Sequence, residues 1–147
     1  MEGMNISSGI RILPVIVDGM DTGRTVNFNP ADQEFAEELY SLVYNIGKIH
    51  EDMNRQRAAE ADVLKKFEIN RTEDRKMREA VDDVFGDGFS KDVFHTRLFA
   101  VGENGLTVVE NFLFSLTDML DEGINSRIEK RDANIRKYTD KYRKYRK

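Results

Sequence analysis

Apolar and polar positions change period along this chain. The change divides it into a short β region followed by a long helical one. Residues 10–17 are rich in β-branched side chains and place Ile10, Ile12 and Ile16 on one face of a strand. Pro14 cannot donate a ladder hydrogen bond, so this strand must be an edge strand or carry a bulge. Residues 18–23 (Asp-Gly-Met-Asp-Thr-Gly) are dense in turn formers, and alternation resumes over 24–28 with Val26 and Phe28 apolar. The product is a β-hairpin over 10–28, which needs helices to cover it.

From Asn29-Pro30 onward the spacing is three and four. Asparagine accepts from the free amides at a helix start, and proline at the first helical position loses no bond there. Phe35, Leu39, Leu42, Val43, Ile46, Ile49 and Met53 form one stripe. The stripe fades over 54–62 and resumes at Val63, Leu64 and Phe67, which predicts one long helix over 30–68 with a break, if any, near Gly47. Thr72, with Glu73 and Asp74, reads as the cap and early acids of a second helix that buries Met77, Val81, Val84 and Phe85 and stops at Gly86. A short helix from Ser90 or Lys91 carries Val93, Phe94 and Leu98 and ends near Gly102. Thr107 then caps a last helix with Val109, Phe112, Leu113, Leu116, Leu120 and Ile124 on its apolar face. Beyond Gly123 that stripe thins to Ile128, Ile135, Tyr138, Tyr142 and Tyr145. The fold class expected is α+β and mostly α-helical, with the hairpin packed on a bundle of about four helices whose first and last members are long.

Composition narrows the function classes. Counting glycine and omitting tyrosine, about 43% of the positions are apolar, just under the roughly 45–50% of an average domain. A core is therefore expected, with part of the chain solvated. With 147 residues, one domain over 1–126 and a basic helix end or tail over 127–147 is the expected organisation. The absence of cysteine excludes disulfides, thiolate metal sites and a cysteine nucleophile. No apolar run approaches the roughly 18 residues of a membrane span, and the N-terminus lacks the basic-then-apolar pattern of an export signal. A soluble protein is expected.

The net charge of −4 conceals a segregation of sign. Residues 127–147 hold ten Lys/Arg and three Asp/Glu, a charge of +7, whereas residues 1–126 carry −11. An acidic body with a basic end suggests self-association, an acidic partner or nucleic acid. A solvated helix end, with cations favoured at the C-terminus, explains the same pattern without a partner. Tyr138, Tyr142 and Tyr145 step by four and three among Arg136, Lys137, Lys141, Arg143 and Lys144. These eight residues are the candidate partner-binding set. Tyrosines at that spacing make one sticky helix face for another protein. Tyrosines stacking on bases, with cations on phosphates, would instead serve nucleic acid, a reading that the acidic body opposes.

Candidate chemistry is otherwise sparse, and no catalytic residue, metal ligand or cofactor is expected. His50 and His95 are the only histidines and have no ligand spacing. Asp83, Asp87 and Gly88 match positions of a calcium loop, but Phe85 and Phe94 occupy its third and twelfth positions, where oxygen ligands are required. A helix end and a glycine turn that points Phe89 into the core explain this stretch. The glycine loops 86–88 and 102–105 are too short and acidic to cradle phosphate, and Ser7-Ser8-Gly9 lacks the flanks of a nucleophile elbow.

Four stretches together resemble the tail assembly chaperone-like proteins encoded by phages and prophages of Gram-positive bacteria. Val26-Asn27-Phe28-Asn29-Pro30-Ala31-Asp32, followed by Phe35-Ala36-Glu37 and Tyr40, is similar to that family's opening. Val84-Phe85-Gly86-Asp87-Gly88, followed by Val93-Phe94, resembles its second signature. Phe112-Leu113-Phe114 resembles its last helix, and the basic tail fits as well. The resemblance departs from the pattern at Phe89, where a small polar residue is expected, and over 95–106, which matches no part of it. It implies a non-enzymatic cytoplasmic protein of the bacterial host that coats the tape-measure protein until tail-tube subunits polymerise around it. Separately, long helices with modest apolar content often bury their stripe in an oligomer, so a homo-oligomer is expected. The resemblance assigns structural roles to Asn29 and Pro30 (helix start), Phe35 and Tyr40 (packing) and Gly86 and Gly88 (turn). A structural tail component retained in the virion, and a nucleic-acid-binding accessory protein, are the alternatives.

Overall fold

The computed structural model describes residues 2–143. Two antiparallel strands, β1 (Arg11–Val17) and β2 (Met20–Phe28), precede four helices: α1 (Gln33–Ala59), α2 (Val63–Phe85), α3 (Phe89–Val93) and α4 (Val108–Arg143). Helices make up 64% of the structure, in keeping with the mostly helical α+β class expected.

The hairpin turns more tightly than expected. Asp18 and Gly19 both take positive φ (52° and 78°), the two-residue turn whose twist matches paired strands. The polar run after it therefore belongs to β2 rather than to the turn. Between the Pro14–Thr25 and Ile16–Asp21 pairs one residue of β1 faces three of β2, and Thr22 Oγ1 donates to the Val15 carbonyl at 2.7 Å. The strand containing Pro14 is thus both an edge and irregular in register. Val26 and Phe28 are buried, and Leu13, Val15 and Val17 pack against the core, while Ile10, Ile12 and Ile16 face outward.

The helix boundaries correct three expectations. First, the expected helix over 30–68 is two helices, with the chain reversing at residues 60–62 and running through Gly47 without a break. Asp62 ends the ambiguity: its carboxylate accepts from the Leu64 amide at 2.9 Å and caps α2. The fading of the apolar stripe over 54–62 marks a helical hairpin, not one continuous helix. Second, Thr72 is inside α2, because Glu73 and Asp74 are buried and engaged laterally rather than spent on a helix start. Third, α3 is a single turn ending at Val93, with Leu98 buried from the loop that follows. Thr107 does cap α4: its Oγ1 accepts from the Glu110 amide and Glu110 Oε1 accepts from the Thr107 amide, a reciprocal capping box.

Asn29-Pro30 also has a different role from the one expected. Asp32, not Asn29, is the cap of α1, accepting from the Glu34 amide. Asn29 Oδ1 instead accepts from Ala31 N–H at 2.9 Å and from Arg127 Nη1 at 2.6 Å, and Pro30 is buried against Gly123 of α4. The turn between β2 and α1 is therefore bolted to the last helix.

The core is aromatic. Phe28 stacks on Phe35, Phe35 meets Phe85 edge-on, and Phe85 contacts both Phe89 and Phe112 at 5.1 Å between ring centroids. Phe94 closes the set against Phe112. Gly86, at φ 110°, ends α2 so that Phe89 can turn inward, as the sequence implied.

Two glycines predict opposite signs. A Cβ at Gly123 would overlap the Pro30 ring, lying 3.0 Å from its Cγ and closer still to its Cβ. Overpacking of this kind costs about 1–3 kcal/mol, which outweighs the helix-propensity gain of about 1 kcal/mol from alanine. Gly47 has open space around it. Gly123→Ala is expected to lower the thermal midpoint and Gly47→Ala to raise it, as measured by circular dichroism.

Candidate functional site

Acid–base and metal candidates do not converge. His50 is half-buried on α1 and His95 is exposed beyond α3. Among the described residues no three His, Asp or Glu side chains are placed to hold a metal ion, and no helix is long and apolar enough to cross a membrane.

Two carboxylates are buried among the described residues, a feature the sequence pattern missed, and both have structural partners. Asp74, 2% exposed, accepts from the Leu98 amide at 2.8 Å, from Arg78 Nε at 2.9 Å and from Arg97 Nη1 at 3.3 Å. The Arg78 guanidinium continues to the carbonyls of Ser90, Phe94 and Thr96. This network holds the irregular loop after α3 onto α2. Glu73 accepts from Gln56 and Lys76 and ties α2 to α1. The four-residue spacing of Asp74 and Arg78 was the signal available in sequence. Next to Thr72, Asp74 was read instead as one of the early acids of a helix start.

α4 supplies the feature that the core does not absorb. Up to Leu120 its apolar face is buried, and among the described residues the Asn29–Arg127 and Pro30–Gly123 contacts are its last attachments to the body. From Ile128 to Lys141 every residue is exposed, although the helix continues without a break to Arg143. At 1.5 Å per residue, the part after Arg127 projects roughly 25 Å. Of the two forms expected, helix end or tail, it is helical as far as Arg143.

Of the eight sequence candidates, Arg136, Lys137, Tyr138, Lys141, Tyr142 and Arg143 lie on this projection; Lys144 and Tyr145 fall outside the described residues. Tyr138 is 54% exposed and lies on one face with Ile135 and Ile128, also about half exposed. An exposed ion pair between Arg143 and Asp140 spans 3.8 Å and does little to neutralise the basic surface.

The body presents the opposite sign. A groove of about 500 Å³ between α1 and α2 is lined by Glu34, Glu37, Glu38 and Asp83, with half-buried Ala80 and Val84 among them. Beside it, Tyr40 is half exposed rather than packed inside, and its hydroxyl donates to Asp121 at 3.4 Å. Desolvation, followed by the Asp121 charge and this hydrogen bond, raises the phenol above the ordinary tyrosine value. Tyr44, one turn on, is covered by the Lys48 ammonium 5.0 Å from its ring centroid.

The arrangement offers surfaces suited to protein contact: a basic, apolar-striped helix and an acidic groove. Comparison with protein-family models, with curated proteins and with solved structures gives no match.

Proposed function

We propose that this chain is a non-enzymatic phage tail assembly protein, a chaperone that binds the tape-measure protein in the cytoplasm of the bacterial host. The observation that carries the reading is the projecting end of α4. An isolated helix in water is marginal, and one that keeps isoleucine and tyrosine on a single exposed face gains most by laying that face against another helix. A tape-measure protein, long and coiled-coil in character, exposes apolar stripes of that kind before assembly. The resemblance of 26–40, 81–94 and 110–117 to tail assembly chaperones supplies the biological setting. Phe35, Gly86 and Gly88 are consistent with the structural roles implied for them: Phe35 joins the phenylalanine set, Gly86 caps α2, and Gly88 takes φ 74° before α3.

The test is a tagged pull-down from phage-producing cells, treated with nuclease and read by mass spectrometry alongside purified virions. Capture of the tape-measure protein is expected, with this chain absent from virions. Finding it stoichiometric in virions would make it a structural tail component, and loss of every partner to nuclease would favour nucleic acid. Deleting residues 132–147 is expected to leave the thermal midpoint within about 1 °C, since surface changes away from packed contacts cost little, but to reduce capture at least fivefold. Undiminished capture by the truncated chain would exclude the projection as the contact.

A further inference from the structure

We propose that Asn104 is a self-modification site: the loop before α4 converts this asparagine to aspartate or isoaspartate without an enzyme, and Asn111 assists the step. The inference is independent of the phage reading, because it needs only the purified chain and water.

The backbone selects this asparagine from the ten in the chain. Deamidation by cyclisation requires the next backbone nitrogen to reach the side-chain carbonyl carbon. Asn45, Asn54, Asn70, Asn111, Asn125 and Asn134 lie within α1, α2 or α4, where the helical backbone holds that nitrogen away. Asn27 is fixed in the paired strand β2, and Asn29 precedes Pro30, which has no N–H to lose. Asn5 is followed by the β-branched Ile6, which crowds the approach. Asn104 is exposed, lies outside the helices and strands, and precedes Gly105, which has no side chain and takes φ 84°.

The hydrogen bonds around Asn104 suit the reaction. Its Oδ1 accepts from the Leu106 amide at 3.2 Å and from Asn111 Nδ2 at 3.3 Å. Two donors therefore already face the oxygen that becomes negative when the carbonyl carbon is attacked. Asn104 Nδ2, the leaving group, donates to Asn111 Oδ1 at 2.6 Å. The Gly105 N–H is engaged with the Gly102 carbonyl at 3.1 Å and must open first, which an exposed turn allows at small cost. Hydroxide then takes the Gly105 amide proton, the nitrogen bonds to Cγ, the Cγ–Nδ2 bond breaks, and Nδ2 takes a proton from water and leaves as ammonia. Water adds to either carbonyl of the cyclic imide and opens it to aspartate or isoaspartate. Aspartate keeps an acceptor for Leu106 and Asn111. Isoaspartate places an extra methylene in the main chain between Gly102 and Leu106, which are paired at 2.7 Å.

Incubating the purified chain in warm, mildly alkaline buffer, with tryptic peptide mapping by fragmentation, tests this. The mass gain of an amide-to-acid exchange is expected at Asn104 ahead of every other asparagine. Asn111→Leu removes the donor, and Asn111→Asp keeps an acceptor for Asn104 Nδ2 but repels the oxyanion. Each should slow the exchange about tenfold, the worth of one charge-assisted hydrogen bond at an exposed site, with helical circular dichroism unchanged. If Asn111 merely restrained Asn104, its loss would speed the exchange instead. No exchange at Asn104, exchange that begins at another asparagine, or an unchanged or faster rate in the Asn111 variants would each overturn the proposal.

Discussion

One connected set of phenylalanine rings decides where the body of this protein ends. Phe28 comes from β2, Phe35 from α1, Phe85 from α2, Phe89 from α3, Phe94 from the loop after it and Phe112 from α4. Only β1 contributes no ring. A buried phenylalanine is worth about 1.5–3 kcal/mol in transfer from water, and a well-placed ring pair adds about 0.5–1.5 kcal/mol. Elements that reach this set are fixed, and parts of the chain that do not reach it must find other partners or remain in water.

The consequences differ at the two ends of α4. Its first three turns are pinned by Phe112 and by the capping box at Thr107 and Glu110. Its middle is fastened by Pro30 lying on Gly123 and by Arg127 on Asn29. Past that point, among the described residues, 128–141 are all exposed. The buried polar network centred on Asp74 serves the same end, since it lets a loop without regular structure close over the aromatic set with its carbonyls satisfied. Charge follows this mechanical division, with acid on the anchored part and base on the projecting part.

Much of this was legible from residue spacing, and what was not has physical reasons. Val26 and Phe28, the cap at Thr107, and Phe89 after the Gly86 stop were readable because each depends on local chemistry, whereas the turn read over 18–23 proved to be Asp18-Gly19 alone. The break at residues 60–62 was hidden because its cap, Asp62, stands without glycine or proline among helix-forming neighbours. Asn29-Pro30 was misread because a local rule suited it, whereas its true partners, Gly123 and Arg127, are almost a hundred residues away. Asp74 was misread as an early acid of a helix start for the same reason: only the returning loop at Leu98 makes it interior. For the candidate surface, sequence gave the stripe and charge of the projection. The acidic groove opposite in sign was invisible, because it is assembled from α1 and α2 after the unforeseen reversal.

The central claim is that α4 is held by the body only as far as Arg127 and is free beyond it within a single copy. Hydrogen–deuterium exchange across α4, on the full chain as a monomer, tests this most directly. The account predicts strong protection over residues 109–123 and exchange over 130–143 faster by a factor of about a hundred or more, since local opening costs little where no apolar contact is lost. Equal protection along the whole helix in the monomer would contradict it.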